Sequence, residues 1–325
     1  MTNRMPRKLT FWFCLWSLLG MLFFDSDGLL VYTHAESDAN SPSSTSVEGT
    51  FSDGTFNAKR AFAYLEKQCE FGPRVPGTAV HQETGAYLFA ELKKYADEVV
   101  FQPFEFQDQD RMIQMNNILA RFGEDSGGKM LLAAHWDTRP FADRDPDLAN
   151  RNTPILGAND GASGVAVLLE VARALKSKPP PTPVIIVLFD GEDYGRTVST
   201  MFLGSTHFAQ NMDGWEADFG ILLDMVGDRS LELPMERYSW NAARDLTEAI
   251  WRRAEELGLP AFQRRLGPAI MDDHLPLIQS GVPTIDIIDF DYPHWHTVED
   301  TPDKCSAESL EIVGRLVLDI IYSGL

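Results

Sequence analysis

The stretch Val184-Ile185-Ile186-Val187-Leu188-Phe189-Asp190-Gly191-Glu192-Asp193 decides the fold. Six apolar residues, mostly β-branched, run straight into acids, which describes a strand buried on both faces with its carboxyl end at a site. Glu192 and Asp193 are adjacent carboxylates at the edge of a core. That arrangement is costly unless a cation or a shared proton relieves the repulsion. A solvated acidic turn is the plain alternative, and the rest of the chain has to decide between them.

Working outward, the same design recurs. Met130 to Ala134 is an apolar run leading into His135-Trp136-Asp137, and Phe219-Gly220-Ile221-Leu222-Leu223 ends in Asp224. Pro283 to Ile288 is a further strand, and Val99 to Phe101 and Ile113 to Phe122 read as two more. Helical spacing lies between them. Ala58, Ala61, Phe62, Leu65 and Cys69 share one face, and a second helix covers about Ala79 to Tyr95. Val165, Leu168, Leu169, Ala172 and Leu175 line a helix reaching about Lys178. Another runs from about Ala242 to Leu257 and stops at Gly258, Asp272-Asp273-His274 heads a short one, and the last turns Leu310, Val313, Leu316, Val317, Ile320 and Ile321 inward. Strands alternating with helices predict an α/β fold: one domain with a mostly parallel, mixed central sheet and helices on both faces. In such sheets, sites collect at the carboxyl ends of the strands.

At 325 residues and 44% hydrophobic, the chain is long enough for one large core, and it shows no internal repeat. Arg4, Arg7 and Lys8 precede an apolar run from Leu9 to Phe24, so residues 1–35 read as a signal peptide or an N-terminal anchor, the shortness favouring a signal. Residues 36–55, rich in Ser, Asp, Asn and Gly, read as a disordered leader, and 56–325 as the catalytic domain. The localisation this predicts is export to the periplasm or beyond, with no stable membrane association once a signal is cut. Losing residues 1–35 removes three basic and two acidic side chains and moves the net charge from -20 to -21. Such a surface repels nucleic acid and anionic membranes, so neither is expected as a partner. Export leaves Cys69 and Cys305, which an oxidising compartment permits to form a disulfide; buried free thiols are the alternative.

Five candidate metal ligands fall at strand ends or in the loops just after them: His135, Asp160, Asp193, Asp224 and His296. Imidazole plus carboxylate without thiolate suits zinc or another first-row divalent ion. The polar stretch Thr138 to Pro154 carries six charged residues (Arg139, Asp143, Arg144, Asp145, Asp147 and Arg151) without regular period, and loops of that length usually do something.

Together, His135-Trp136-Asp137, Gly157-Ala158-Asn159-Asp160, Asp190-Gly191-Glu192-Asp193, Leu223-Asp224 and His296-Thr297 resemble the ordered metal motifs of the exported zinc aminopeptidase clan. Within that clan, Asp190-Gly191-Glu192-Asp193, Asp272-Asp273-His274-Leu275-Pro276 and Trp295 before the final histidine make the chain most similar to the zinc-dependent glutaminyl-peptide cyclotransferases, over about residues 57–325. The resemblance implies Asp160, Asp193 and His296 as ligands of one catalytic Zn2+ and Glu192 as general acid/base. It implies Asp224 and Asp273 as carboxylates near the reacting groups and Trp295 as a wall of the substrate pocket. Two departures stand out: Asp193 is one methylene shorter than the Glu of the animal enzymes, and Asp286 stands near their pocket histidine. Trp136 is either a second pocket wall or an ordinary core residue, and His274 and His294 are expected in surface or capping roles.

The implied reaction converts the N-terminal glutamine of a peptide or protein to pyroglutamate with release of ammonia. The competing enzyme reading is an aminopeptidase with two zinc ions, adding His135 and Asp224 as ligands around a bridging Asp160. A binding module that kept the fold is a third reading, against which the intact Glu192 counts. Nothing in the sequence specifies an oligomeric state.

Overall fold

The computed structural model describes residues 55–123 and 128–325. The expected signal or anchor, and the leader up to residue 54, lie outside the described residues.

Chain order is α1 (Ala58–Phe71), α2 (Ala79–Lys93), β1 (Glu98–Asp108), β2 (Arg111–Phe122), β3 (Met130–His135), α3 (Ala162–Ser177), β4 (Val184–Phe189) and α4 (Leu203–Gln210). Then come β5 (Phe219–Asp224), β6 (Leu233–Met235), α5 (Arg237–Ala242), α6 (Arg244–Glu256), β7 (Phe262–Leu266), α7 (His274–Gln279), β8 (Thr284–Ile288) and α8 (Ala307–Ser323). Six strands form one sheet in the order β1-β2-β4-β3-β5-β8. The hairpin β1–β2 and the β2–β4 pair are antiparallel, whereas β4–β3, β3–β5 and β5–β8 are parallel. The sheet is therefore mixed, and its parallel part carries the strand-end acids.

Period-two alternation divides the side chains of the inner strands between two faces. Leu132, Ala134, Ile186, Leu188, Ile221 and Leu223 pack in the main core against α1, α2, α3, α6 and α8. Leu131, Ala133, Ile185, Val187 and Leu222 face the other way, against Phe208 of α4 and Leu277 of α7. Both faces are covered, which is why the strands read as unbroken apolar runs.

Three elements depart from the sequence reading. The expected helix from Ala242 to Leu257 forms as α6, and a short α5 that the sequence reading did not foresee precedes it, the two divided at Ala243, whose φ of -139° and ψ of 52° are not helical. Glu236 starts the first of them by accepting from the Tyr238 and Ser239 amides, ahead of any apolar periodicity. The short α4 and the two-stranded β6–β7 sheet carry too few apolar residues to signal themselves, β7 being largely exposed beyond Phe262. The disulfide is also corrected: Cys69 and Cys305 are free thiols in the main core. Burial pushes the Cys69 thiol up to about 12 and raises Cys305 as well, so both behave as small apolar residues.

Helix α3 enters close against the sheet because residue 164 is glycine. A Cβ there would lie 2.2 Å from the Leu223 carbonyl oxygen and 2.9 Å from the Ala134 Cβ. Gly164→Ala should therefore destabilise the fold by about 1–3 kcal/mol through overpacking. Urea unfolding of the two proteins measures this, and equal midpoints would mean α3 has room to move.

Candidate metal centre

Because β3, β4, β5 and β8 run parallel, their carboxyl ends share one edge of the sheet, and the candidate residues gather there. His135 closes β3, Asp224 closes β5, Glu192 and Asp193 follow β4, and His296 lies in the segment after β8. Asp160 precedes α3 in a loop that turns through Gly161 at φ 95°. A Cβ on Gly161 would come within 2.7 Å of the Asp137 carbonyl oxygen and 2.9 Å of the His135 ring, so only glycine lets this loop lie against β3.

Asp160 is the hub. Its Oδ1 lies 3.2 Å from His135 Nε2 and its Oδ2 lies 3.5 Å from His296 Nε2. On one side, His296 Nε2 is 3.3 Å from Asp193 Oδ2; on the other, His135 Nε2 hydrogen-bonds Asp224 Oδ1 at 3.2 Å. Two trios result, Asp160/Asp193/His296 and His135/Asp160/Asp224, all buried, each offering ligand atoms within 4.8 Å of one another. They differ in how well they are satisfied. Asp160 Oδ2 and Asp193 Oδ2 are buried with no hydrogen-bond partner, which is the environment a divalent cation relieves. His296 has a left-handed backbone, φ 55°, a conformation that costs on the order of 1 kcal/mol and persists here where it brings the imidazole to those oxygens.

The supporting polar groups are as ordered as the candidates. Asp137 accepts from the Glu192 and Asp193 amides at 3.1 and 3.2 Å, and so fixes the backbone of the acid pair. Asp300 accepts from the Asn159 and Asp160 amides and from the Tyr292 hydroxyl. Glu192 sits with Oε2 3.8 Å from His135 Nδ1. Burial first, then the Asp193 charge, raise the Glu192 carboxyl well above its ordinary value, against a smaller lowering by His135.

Asp272, left out of the site by the sequence reading, belongs to this group: burial and the charges of Asp224 and Asp273 raise its carboxyl strongly. Asp273, the residue expected there, is tied to the Ser205 hydroxyl at 2.5 Å. The charges of both members of the doublet raise the Glu192 carboxyl. Asp286 is fully buried in β8, its Oδ2 3.8 Å from His274 Nδ1. His274 is fully buried between Asp286 and Glu236, correcting its expected surface or capping place. Trp136 takes the core alternative, stacked on His81 at 4.3 Å and donating its indole N–H to Asn116 O. Trp295 lies against the site, stacked on the His296 ring at 4.0 Å and tilted on Phe290 at 4.9 Å. A cavity of about 280 Å³ reaches Phe290 and is bordered by Ile270, Ile288 and Glu236; none of the candidate ligands lines it.

The model of peptidase family M28 matches residues 117–321. The chain belongs to that family. Its relatives divide between two activities. It is 30% identical over 206 residues to aminopeptidase YwaD of Bacillus subtilis, covering 59% of this chain and 40% of that one. It is 28% identical over 240 residues to the glutaminyl-peptide cyclotransferase of Bothrops jararaca, covering 62% and 63%. The chain thus spans less than two thirds of either relative. Solved M28-like folds match more fully. The glutaminyl cyclase of Bacteroides thetaiotaomicron bound to N-acetylhistamine is 38% identical with a TM-score of 0.80, covering 82% of this chain and 98% of that one. A Zn-dependent exopeptidase of Parabacteroides distasonis gives the same identity, TM-score and coverage.

Burial holds the Asp273 carboxyl up at about 7 and Asp289 at about 6. The folded chain keeps these protons at a pH where the unfolded chain has released them, so their stabilisation is present in mild acid and is lost as pH rises through about 6 to 7. The thermal midpoint of the metal-free protein should accordingly fall between about pH 5 and pH 8. A midpoint that rises over this range would mean the buried acids are already ionised when folded.

Proposed function

We propose that this chain is an exported zinc-dependent glutaminyl-peptide cyclotransferase acting on peptides or proteins with N-terminal glutamine. The observation that carries the reading is the contrast between the two trios: one leaves buried oxygens of Asp160 and Asp193 without partners, while the other is already joined by the His135–Asp224 hydrogen bond. That contrast suits one ion held by Asp160, Asp193 and His296. The match to a glutaminyl cyclase across nearly all of its length supports the reaction, and the basic-then-apolar stretch ahead of Asp25 supports export. Among the described residues no helix is long and apolar enough to cross a membrane.

Zinc bound by these three side chains supplies Lewis acidity toward the γ-carboxamide oxygen of the substrate. The rest is done by the protein. Attack of the α-amine on its own γ-carboxamide carbon closes a five-membered ring, so no second nucleophile has to be captured. Glu192, its carboxyl raised by burial and by Asp193, takes the proton that the α-amine loses as the new C–N bond forms. It returns that proton to the departing nitrogen as the old C–N bond breaks, and ammonia leaves. Asp224 and Asp273 are the further carboxyls beside the reacting groups, and the Asp193 charge favours the protonated form of Glu192 between the two steps. Trp295, flat on His296, walls the metal side of the pocket and keeps water from it.

Two matched peptides, one beginning with glutamine and one with leucine, test this by mass spectrometry. Loss of ammonia from the first alone, faster than its spontaneous cyclisation, is the expected result. Release of free leucine with no cyclised product would assign His135 and Asp224 to a second metal and make the chain an aminopeptidase. Glu192→Gln should retain zinc and lose roughly 10²- to 10⁴-fold in kcat, while Asp160→Ala should lose both metal and activity. Full turnover by Glu192→Gln would remove the proposed proton route.

A further inference from the structure

The aperiodic loop after β3 places two charged side chains where no candidate ligand resides. Arg139 is buried and uses all three guanidinium nitrogens. Its Nη1 donates to Asp193 Oδ1 and, at 3.1 Å, to the Gly195 carbonyl oxygen. Its Nε and Nη2 donate to the two carboxylate oxygens of Asp143 at 2.9 and 3.0 Å. Asp143 Oδ1 in turn lies 3.4 Å from His296 Nδ1. Since His296 Nε2 faces Asp193 Oδ2 at 3.3 Å, the four side chains close a ring in which acid and base alternate.

We propose that Arg139 and Asp143 are positioning residues, a two-part clamp that sets the affinity of the Asp160/Asp193/His296 site for its cation; this rests on the site reading above. Two physical consequences follow from the geometry. Arg139 occupies Asp193 Oδ1, so the carboxylate presents only Oδ2 to the centre, and a short side chain that could swing is held at one angle. Asp143 accepts from the Nδ1 edge of His296, which leaves Nε2 as the nitrogen with the free lone pair and fixes the ring plane. The fork of Arg139 joins these effects, because the same guanidinium orients both ligands although one comes from the loop after β4 and the other from the segment after β8. Phe141 under the Arg139 guanidinium, 4.6 Å from ring centre to Cζ, keeps the fork from turning toward solvent.

The test uses full-length protein with three substitutions, Arg139→Met, Asp143→Asn and the pair together. Zinc affinity is measured by chelator competition, with circular dichroism of the metal-free proteins as the check on folding. Each single substitution should weaken zinc binding by roughly 10- to 100-fold, and the pair should lose little more than the worse single one, because both break the same clamp. Glutamine cyclisation by the Asp143→Asn protein should recover when zinc is raised above its weakened Kd. Folded variants that bind zinc as tightly as the wild type overturn the clamp, as do fully additive losses. Activity that stays lost in Asp143→Asn at saturating zinc also overturns it, because the residue would then be acting on the reaction itself. A wild-type chain that binds no zinc at all would instead sink the metal site, and the clamp with it.

Discussion

The two oxygens of Asp160 point at two different histidines, and the arrangement of the whole site depends on keeping that carboxylate where it is. Its loop has little freedom. Asp300 holds the Asn159 and Asp160 amides, and Arg74 reaches in from the segment after α1 to donate to the carbonyls of Trp136, Leu156 and Gly157. Arg74 is a fully buried cation whose guanidinium faces Asp300, Asp137 and Asp160. A buried charge with all three nitrogens engaged is expensive to remove, since the carbonyls it satisfies would be left unpaired in a low-dielectric interior. The same desolvation that makes the site costly therefore also makes it rigid.

Charge at the strand ends is managed in layers. Nearest the ligands, Arg139 and His135 offset Asp193, Asp160 and Asp224. Farther in, burial drives the Asp272 and Asp286 carboxyls well above their ordinary range. Holding protons there avoids the repulsion that four ionised acids would suffer in one apolar setting. Glu236 is the exception. Despite burial it is held down to about 2, chiefly by His274 and by the Ser239, Tyr238 and Ile270 amides, and it anchors the segment leading to Asp272. The donors around Glu236 keep it ionised and tie its segments together.

The sheet was legible because strands covered on both faces must be apolar throughout, and β3, β4, β5 and β8 announce themselves by composition alone. The acids at their ends were legible because an abrupt change from Leu or Phe to Asp has few structural excuses. Legibility failed wherever position depended on rotation or on aperiodic backbone. Asp272 and Asp273 are neighbours at the entry to α7, and the doublet alone cannot show that both carboxyls are buried where the Asp224 charge reaches them. His274 looked like a capping residue because the sequence could not show that Glu236 and Asp286 meet around it. Arg139 and Asp143 lie in a stretch that stands out by length and charge but has no period to interpret. The cysteines show the opposite failure, a compartment argument that permits a bond without showing that two side chains meet.

The symmetry of Asp160 bears on how one scaffold could serve two reactions. Hydrolysis of a peptide bond must recruit and activate an external water, and a second cation beside the first is one way to do so. Ring closure by a glutamine α-amine brings its own nucleophile, tethered within reach of the carbonyl it attacks, so the demand falls on charge stabilisation and proton transfer alone. In this chain the second position is spanned by a hydrogen bond between His135 and Asp224, and His135 is raised well above its ordinary value by Asp137, Asp160, Asp224 and Glu192 even against its burial. The acids around His135 favour its charged form, and the hydrogen bond across that position leaves no open coordination position for water. On this argument, what separates the two activities is less the set of residues, which both readings share, than whether His135 and Asp224 are joined by a hydrogen bond or by a metal.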